Sequence, residues 1–165
     1  MAVLLNQSSN LRARVELLAR LSDGTRTPAS LRMRLTVDRY LKPDFAPLLE
    51  VPSATVLDMD LIQFLQSLEE LLDGRRQDAS LEASVDPAIG LRFAGGPEAF
   101  LVELGVDLLN VLQPVAGVQG ERGNDLVLYR FLANKRAAAA FCAGLIEEYA
   151  GFPTDPSRVD PGEPA

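Results

Sequence analysis

The chain predicts an α+β fold: a mostly antiparallel sheet with two amphipathic helices packed on it, at about 58–73 and 135–150. Three observations lead there. Several short stretches alternate apolar and polar residues with the period of a half-buried strand, and two longer ones space apolar residues with the period of a helix. The order along the chain is strands, helix, strands, helix, without the strict β-α alternation of a parallel sheet.

The first stretch, 11–21, alternates Leu11, Ala13, Val15 and Leu17 with Arg12, Arg14 and Glu16. Leu11, Val15 and Leu18 also share one helical face, but the turn signal Ser22-Asp23-Gly24-Thr25 and a second alternating run favour a strand. That second run sets Leu31, Met33, Leu35 and Val37 against Arg32, Arg34, Thr36 and Asp38. Two such neighbours predict an antiparallel hairpin. Pro43, Pro47 and Pro52 then predict an irregular crossing, with Leu48 to Val51 as a short edge strand.

Leu61, Phe64, Leu65, Leu68, Leu71 and Leu72 form a single helical stripe. Asp58 or Asp60 is placed to cap that helix, and Gly74 stands where a left-handed C-terminal residue is wanted. Short strands are expected at Leu81–Ala83–Val85 and Ile89–Leu91–Phe93, then a long apolar one over 100–112 in which Gly105 suggests a bulge or a close backbone approach. Gly117, Gly120 and Gly123 mark a loop, and Leu126, Leu128 and Phe131 open another strand. Asn134 caps the last helix, whose apolar face is Ala138, Phe141, Cys142, Leu145 and Tyr149, with Gly151 at its end. The remaining PTDPSRVDPGEPA reads as a disordered, Pro-rich acidic tail, so the expected organisation is one domain over 1–152 and a tail over 153–165. No repeat with a period of 20–50 residues is visible.

Composition narrows the chemistry. With no His, imidazole bases are excluded, and with one Cys there is neither an internal disulfide nor a plausible zinc or iron–sulfur site. The net charge of −7 is uneven: residues 1–50 hold eight basic and five acidic side chains, the remainder eight and eighteen. Such a balance disfavours nucleic acid and suits a basic protein partner. No stretch is long and apolar enough to span a membrane, no targeting signal is evident, and the unpaired Cys142 fits a reducing cytoplasm.

The candidate groups resolve mostly to structural roles. Asp58 and Asp60 lack the further oxygen ligands that a cation needs, and Cys142 lies in an apolar stripe rather than an electropositive setting. Adjacent Glu147 and Glu148 point in different directions on a helix, and Glu103 and Asp107 have no polar neighbours converging on them. No catalytic, cofactor-binding or metal residue is therefore assigned, and no enzymatic activity is expected. The candidate partner-binding residues are Glu69, Glu70, Asp73 and Glu103, as acidic groups on or beside polar faces.

One longer pattern adds to this. DLIQFLQSLEELLDG, ASLEASV, AIGLRFAG, AFLVELGVDLL, NDLVLYRFL and KRAAAAFCAGLIEEY follow one another from Asp58 to Tyr149. This order of helix, three strands, glycine-bearing loop, strand and helix resembles the small bacterial immunity proteins of the WapI immunity family. The resemblance implies a cytoplasmic α+β protein that binds and neutralises a toxin of its own cell by occlusion, with no cofactor. The alternative expectation is a structural or assembly subunit of a larger bacterial complex.

Overall fold

The computed structural model describes residues 1–21, 29–82, 89–96, 98–107 and 126–152. The expected turn at 22–25, Ala83 and Val85, the end of the apolar run past Asp107, the loop of Gly117 to Gly123 and the tail over 153–165 lie outside these residues.

The fold is α+β, built from two antiparallel four-stranded meanders. The N-terminal sheet comprises β1 (Ala2–Leu5), β2 (Leu11–Leu21), β3 (Ser30–Leu41) and β4 (Asp44–Leu57), and leads directly into α1 (Asp58–Leu72). The C-terminal sheet comprises β5 (Asp78–Glu82), β6 (Ile89–Gly95), β7 (Ala99–Asp107) and β8 (Leu126–Asn134), and leads directly into α2 (Lys135–Ala150). The expected hairpin is the β2–β3 pair, with Val15 opposite Leu35.

Three expectations are corrected and one element is added. The added element is the apolar start, which forms the edge strand β1. The proline-marked crossing is instead the long strand β4; as the other edge of its sheet it tolerates Pro47 and Pro52, whose missing N–H groups are not needed there. Gly105 makes no bulge, since β7 keeps continuous register with β6 and β8 around it. Neither Asp58 nor Asp60 caps α1: the N-cap is Leu57 and no side chain serves it. Asn134 does cap α2, accepting from the Ala137 N–H at 2.8 Å, and Gly74 does take a left-handed conformation with φ of +76°.

Asp58 has another task. A β-bulge between Leu17 and Ala19 shifts β2 by one residue, which turns Arg20 to the inner face beside Leu31. There its guanidinium forms an ion pair with the largely buried Asp58 carboxylate. Tyr149 of α2 sits beside this pair; burial pushes its phenol up, the Asp58 carboxylate adds to the rise, and Arg20 opposes it. Next to the bulge, the Leu17 N–H donates to Glu148 Oε1 at 2.7 Å, which ties α2 to the N-terminal sheet.

The two sheet-plus-helix units repeat one plan, 77 positions apart at their helices, which begin at 58 and 135. Phe64 and Phe141, Leu65 and Cys142, Leu68 and Leu145 occupy matching buried positions at that offset. In the sheets, Leu31 pairs with Val56 two residues before α1, and Phe100 pairs with Ala133 two residues before α2. Counting on from Leu31 and Phe100, Leu35 matches Leu104, Val37 matches Val106, and the buried Asp38 matches the buried Asp107.

Each helix packs mainly on the first strand of the other unit, α1 on β5 and α2 on β1, while α2 also keeps contact with its own sheet through Phe141 and Phe93, and the helices touch each other. Gly144 faces β1 in the second contact, where a Cβ would lie at ordinary van der Waals distance, 3.5 Å, from the Ala2 Cα. One core results. Phe93 on β6 stacks on Phe141 of α2 at 5.9 Å between ring centroids and meets Phe64 of α1 at 6.2 Å. Leu61, Leu65, Leu68 and Leu145 are buried as the stripes require, with Leu71 in the core and Leu72 at its margin.

Candidate protein-docking site

Register and pleat define what each sheet shows on the side away from the helices. On the C-terminal sheet, Phe100, Val102, Leu104 and Val106 point inward and Leu101, Glu103 and Gly105 point outward. Across β7, Leu101 is paired with Leu132, Glu103 with Arg130, and Gly105 with Leu128. On the β6 side the same three residues meet Ala94, Arg92 and Gly90. The outer face thus has an apolar row at one end (Ala94, Leu101, Leu132), a charged row in the middle (Arg92, Glu103, Arg130), and Leu128 beside two glycines beyond it.

Burial decides what this face presents. Leu101, Leu128 and Leu132 are 40%, 42% and 50% exposed, a large apolar area for a sheet surface in water. Glu103 accepts from Arg130 Nε at 2.7 Å and lies 3.5 Å from Arg92 Nη1. Its side chain is 18% exposed, against 62% for Arg130 and 52% for Arg92. Glu103 is therefore a base plate holding two guanidinium groups toward solvent, but Arg92 also lies 3.5 Å from Asp78, and β5 turns Asp78, Ser80 and Glu82 to this side, so the face is positive at Arg130 and acidic along its β5 edge.

The other predicted carboxylates lie elsewhere. Glu69 and Glu70 belong to α1 and Asp73 is its C-cap; the helix packs through Phe64 on the inner side of the C-terminal sheet, so Glu103 does not join them on one surface. Asp73 is 2.8 Å from Arg75 and Glu70 is 3.6 Å from Arg76, both solvent-exposed pairs. The Asp73 carboxylate, hydrogen-bonded to Arg75, raises that guanidinium above its ordinary value. Glu69 shares an exposed seam with Met59, Ile62, Gln66 and Asp73. Between α1 and β5 a recess of about 260 Å³ is lined by Asp60, Gln63, Ser67, Arg76, Asp78 and Glu82.

The corresponding face of the N-terminal sheet is built differently. Arg14 holds the buried Asp38 carboxylate with two hydrogen bonds of 2.8 and 3.1 Å, and Arg12 Nε adds a third at 2.9 Å. The Arg12 guanidinium also lies 4.3 Å over the Phe45 ring. Arg34 bridges Glu16 and Glu50 at 3.1 and 3.7 Å. Where the C-terminal sheet has Leu101 and Leu132, this one has Arg32 paired with Thr55. The N-terminal sheet also exposes Tyr40, Leu41 and Leu48, at and near its β3–β4 turn, whereas the C-terminal sheet exposes its leucines along the paired strands β7 and β8.

Cys142 is buried, and desolvation pushes its thiol up to about 11, so it is no neutral-pH nucleophile. Among the described residues no helix is long and apolar enough to cross a membrane. The exposed leucines escaped the sequence reading because apolar residues occupy both parities of β7 and β8, a pattern shared with strands covered on both faces. Leu101, out of step with Phe100 and Val102, was the available signal. Compared with protein-family models, curated proteins and solved structures, the chain finds no match.

Proposed function

We propose that this chain is a non-enzymatic protein-binding module, an immunity-type protein that neutralises a bacterial toxin in the cytoplasm by covering it with the outer face of the C-terminal sheet. The observation that supports this reading is the cluster of half-exposed leucines around Arg92 and Arg130. Apolar anchors supply the buried area of an interface, and paired guanidinium groups suit the acceptor oxygens at the mouth of an active site. Glu69, Glu70 and Asp73 then act at longer range, drawing a basic toxin domain inward over about 8–10 Å at physiological ionic strength.

The test is co-expression with the product of the adjacent gene. Wild type should abolish that product's toxicity, and a Leu101→Lys/Leu132→Lys variant with unchanged circular dichroism should not. Toxicity that persists beside the wild type overturns the reading. The assembly-subunit reading gains from the same leucines, and a stable stoichiometric complex with a non-toxic neighbour would favour it.

A further inference from the structure

We infer that the outer face of the C-terminal sheet is also a docking face for the exposed seam of α1 from a second copy of this chain, so that copies associate head to tail. The chemistry of the two surfaces is complementary. On α1, Met59, Ile62, Gln66, Glu69 and Asp73 recur at spacings of three and four residues and are all exposed, which makes one straight row along the helix. Its N-terminal end is apolar, with Met59 69% and Ile62 37% exposed, and its C-terminal end is acidic. The sheet face offers Leu101 and Leu132 beside the guanidinium groups of Arg130, paired with Glu103, and of Arg92, which Glu103 and Asp78 share, with Asp78 and Glu82 on the β5 edge of the face.

The spacings agree as well. From Ile62 to Glu69 the helix rises about 10 Å. On the sheet, Arg92 lies two residues along and one or two strands across from Leu101 and Leu132, a distance of about 8–12 Å. A helix seated with Ile62 on the leucines thus brings Glu69 to the arginines. Asp73, about 6 Å further along, adds its charge at longer range and is held only in an exposed pair with Arg75.

The repeated plan of the chain supplies an internal comparison. The seam of α2 at matching positions reads Arg136, Ala139, Ala143, Ile146 and Ala150, without carboxylates or large exposed apolar groups. The matching sheet positions hold Arg32 and Thr55. Neither the leucine pair nor the carboxylates recur at the matching positions. Within one molecule α1 lies on the inner side of its sheet, so seam and outer face meet only between copies. Such a contact is heterologous and extends into open chains or closes as a ring. It stands apart from the toxin-binding reading, except that toxin and second copy would exclude one another.

Sedimentation and light scattering of the intact chain, from micromolar to near-millimolar concentration, test this. The mass should rise above the 17.9 kDa monomer with concentration and fall back as salt is added. Arg92→Glu/Arg130→Glu and Glu69→Arg/Asp73→Arg should each weaken self-association by about tenfold or more, and mixing the two variants should restore it. A wild type that stays monomeric throughout overturns the inference without recourse to any variant. So does association indifferent to both charge reversals, or to salt. Toxin rescue by a strictly monomeric wild type would remove this contact and leave the inhibitor reading standing.

Discussion

Phe93 carries the clearest test of how the two units are joined. It is fully buried on β6 and touches both helices, stacking on Phe141 at 5.9 Å and meeting Phe64 at 6.2 Å. Phe93→Ala removes the ring's carbons from a site walled by three elements, where collapse is restricted, so a loss of about 3–5 kcal/mol is expected. Two aromatic contacts, at about 0.5–1.5 kcal/mol each, place it in the upper part of that range. Against a typical stability of about 5–15 kcal/mol, this is about a fifth of the total or more. The melting temperature should fall by about 6–20 °C. Urea denaturation followed by far-ultraviolet circular dichroism and by tyrosine fluorescence gives the measurement. Because α1 packs on β5 and α2 on β1, neither unit keeps its covering helix when the other unfolds. Both probes should therefore report one coincident transition, in wild type and variant alike. A loss below about 1 kcal/mol, or separate transitions for the two sheets, would refute the exchanged-helix core.

Three further outcomes follow from the packing. Leu65→Ala should cost about 2–5 kcal/mol in the same urea assay, and no measurable loss would mean that α1 does not bury its stripe. Arg20→Ala should cost about 3 kcal/mol by leaving Asp58 uncompensated. The double change Arg20→Met/Asp58→Leu should recover most of that loss, and equal destabilisation by both variants would show that the charge pairing is irrelevant. Cys142 should resist alkylation at neutral pH until the chain is unfolded, as mass spectrometry of iodoacetamide-treated protein would show. Its thiol is raised from 9.0 to about 11 in the fold, so the unfolded chain loses that proton first. The stability this group contributes is complete below about pH 9 and falls as pH rises toward 11. The stability difference between wild type and Cys142→Ala should shift in that window and stay flat below it.

Much of the fold was legible because burial imposes a period. Leu31, Met33, Leu35 and Val37 announced a strand, and Leu61, Phe64, Leu65 and Leu68 a helix, since every second or every third-and-fourth side chain had to fill the core. β4 was hidden by Pro47 and Pro52, which argue against a central strand but not against an edge. The misassigned role of Asp58 has a tertiary cause: capping is a local rule, whereas its real partner, Arg20, is delivered by a bulge in a strand 38 residues away. No inspection of the Asp58 neighbourhood could supply that partner.

The repeated plan escaped for a related reason, and that reason bears on where function lies. The repeat is longer than 20–50 residues, and likeness survives mainly at inner positions, such as Phe64 with Phe141 and Leu68 with Leu145. There both units face the same demand for volume, because packing density leaves little room for change. Outward positions carry no such demand, and there the units part: Leu101 against Arg32, Leu132 against Thr55, Glu69 against Ile146, Asp73 against Ala150. A difference that stability does not require, between surfaces the fold would otherwise make alike, calls for another cause. An exposed leucine on one face, where its counterpart is an arginine, gains nothing from water and is stabilising only when something covers it. The search for a partner therefore belongs on the outer face of the C-terminal sheet and the seam of α1, where the two units differ most.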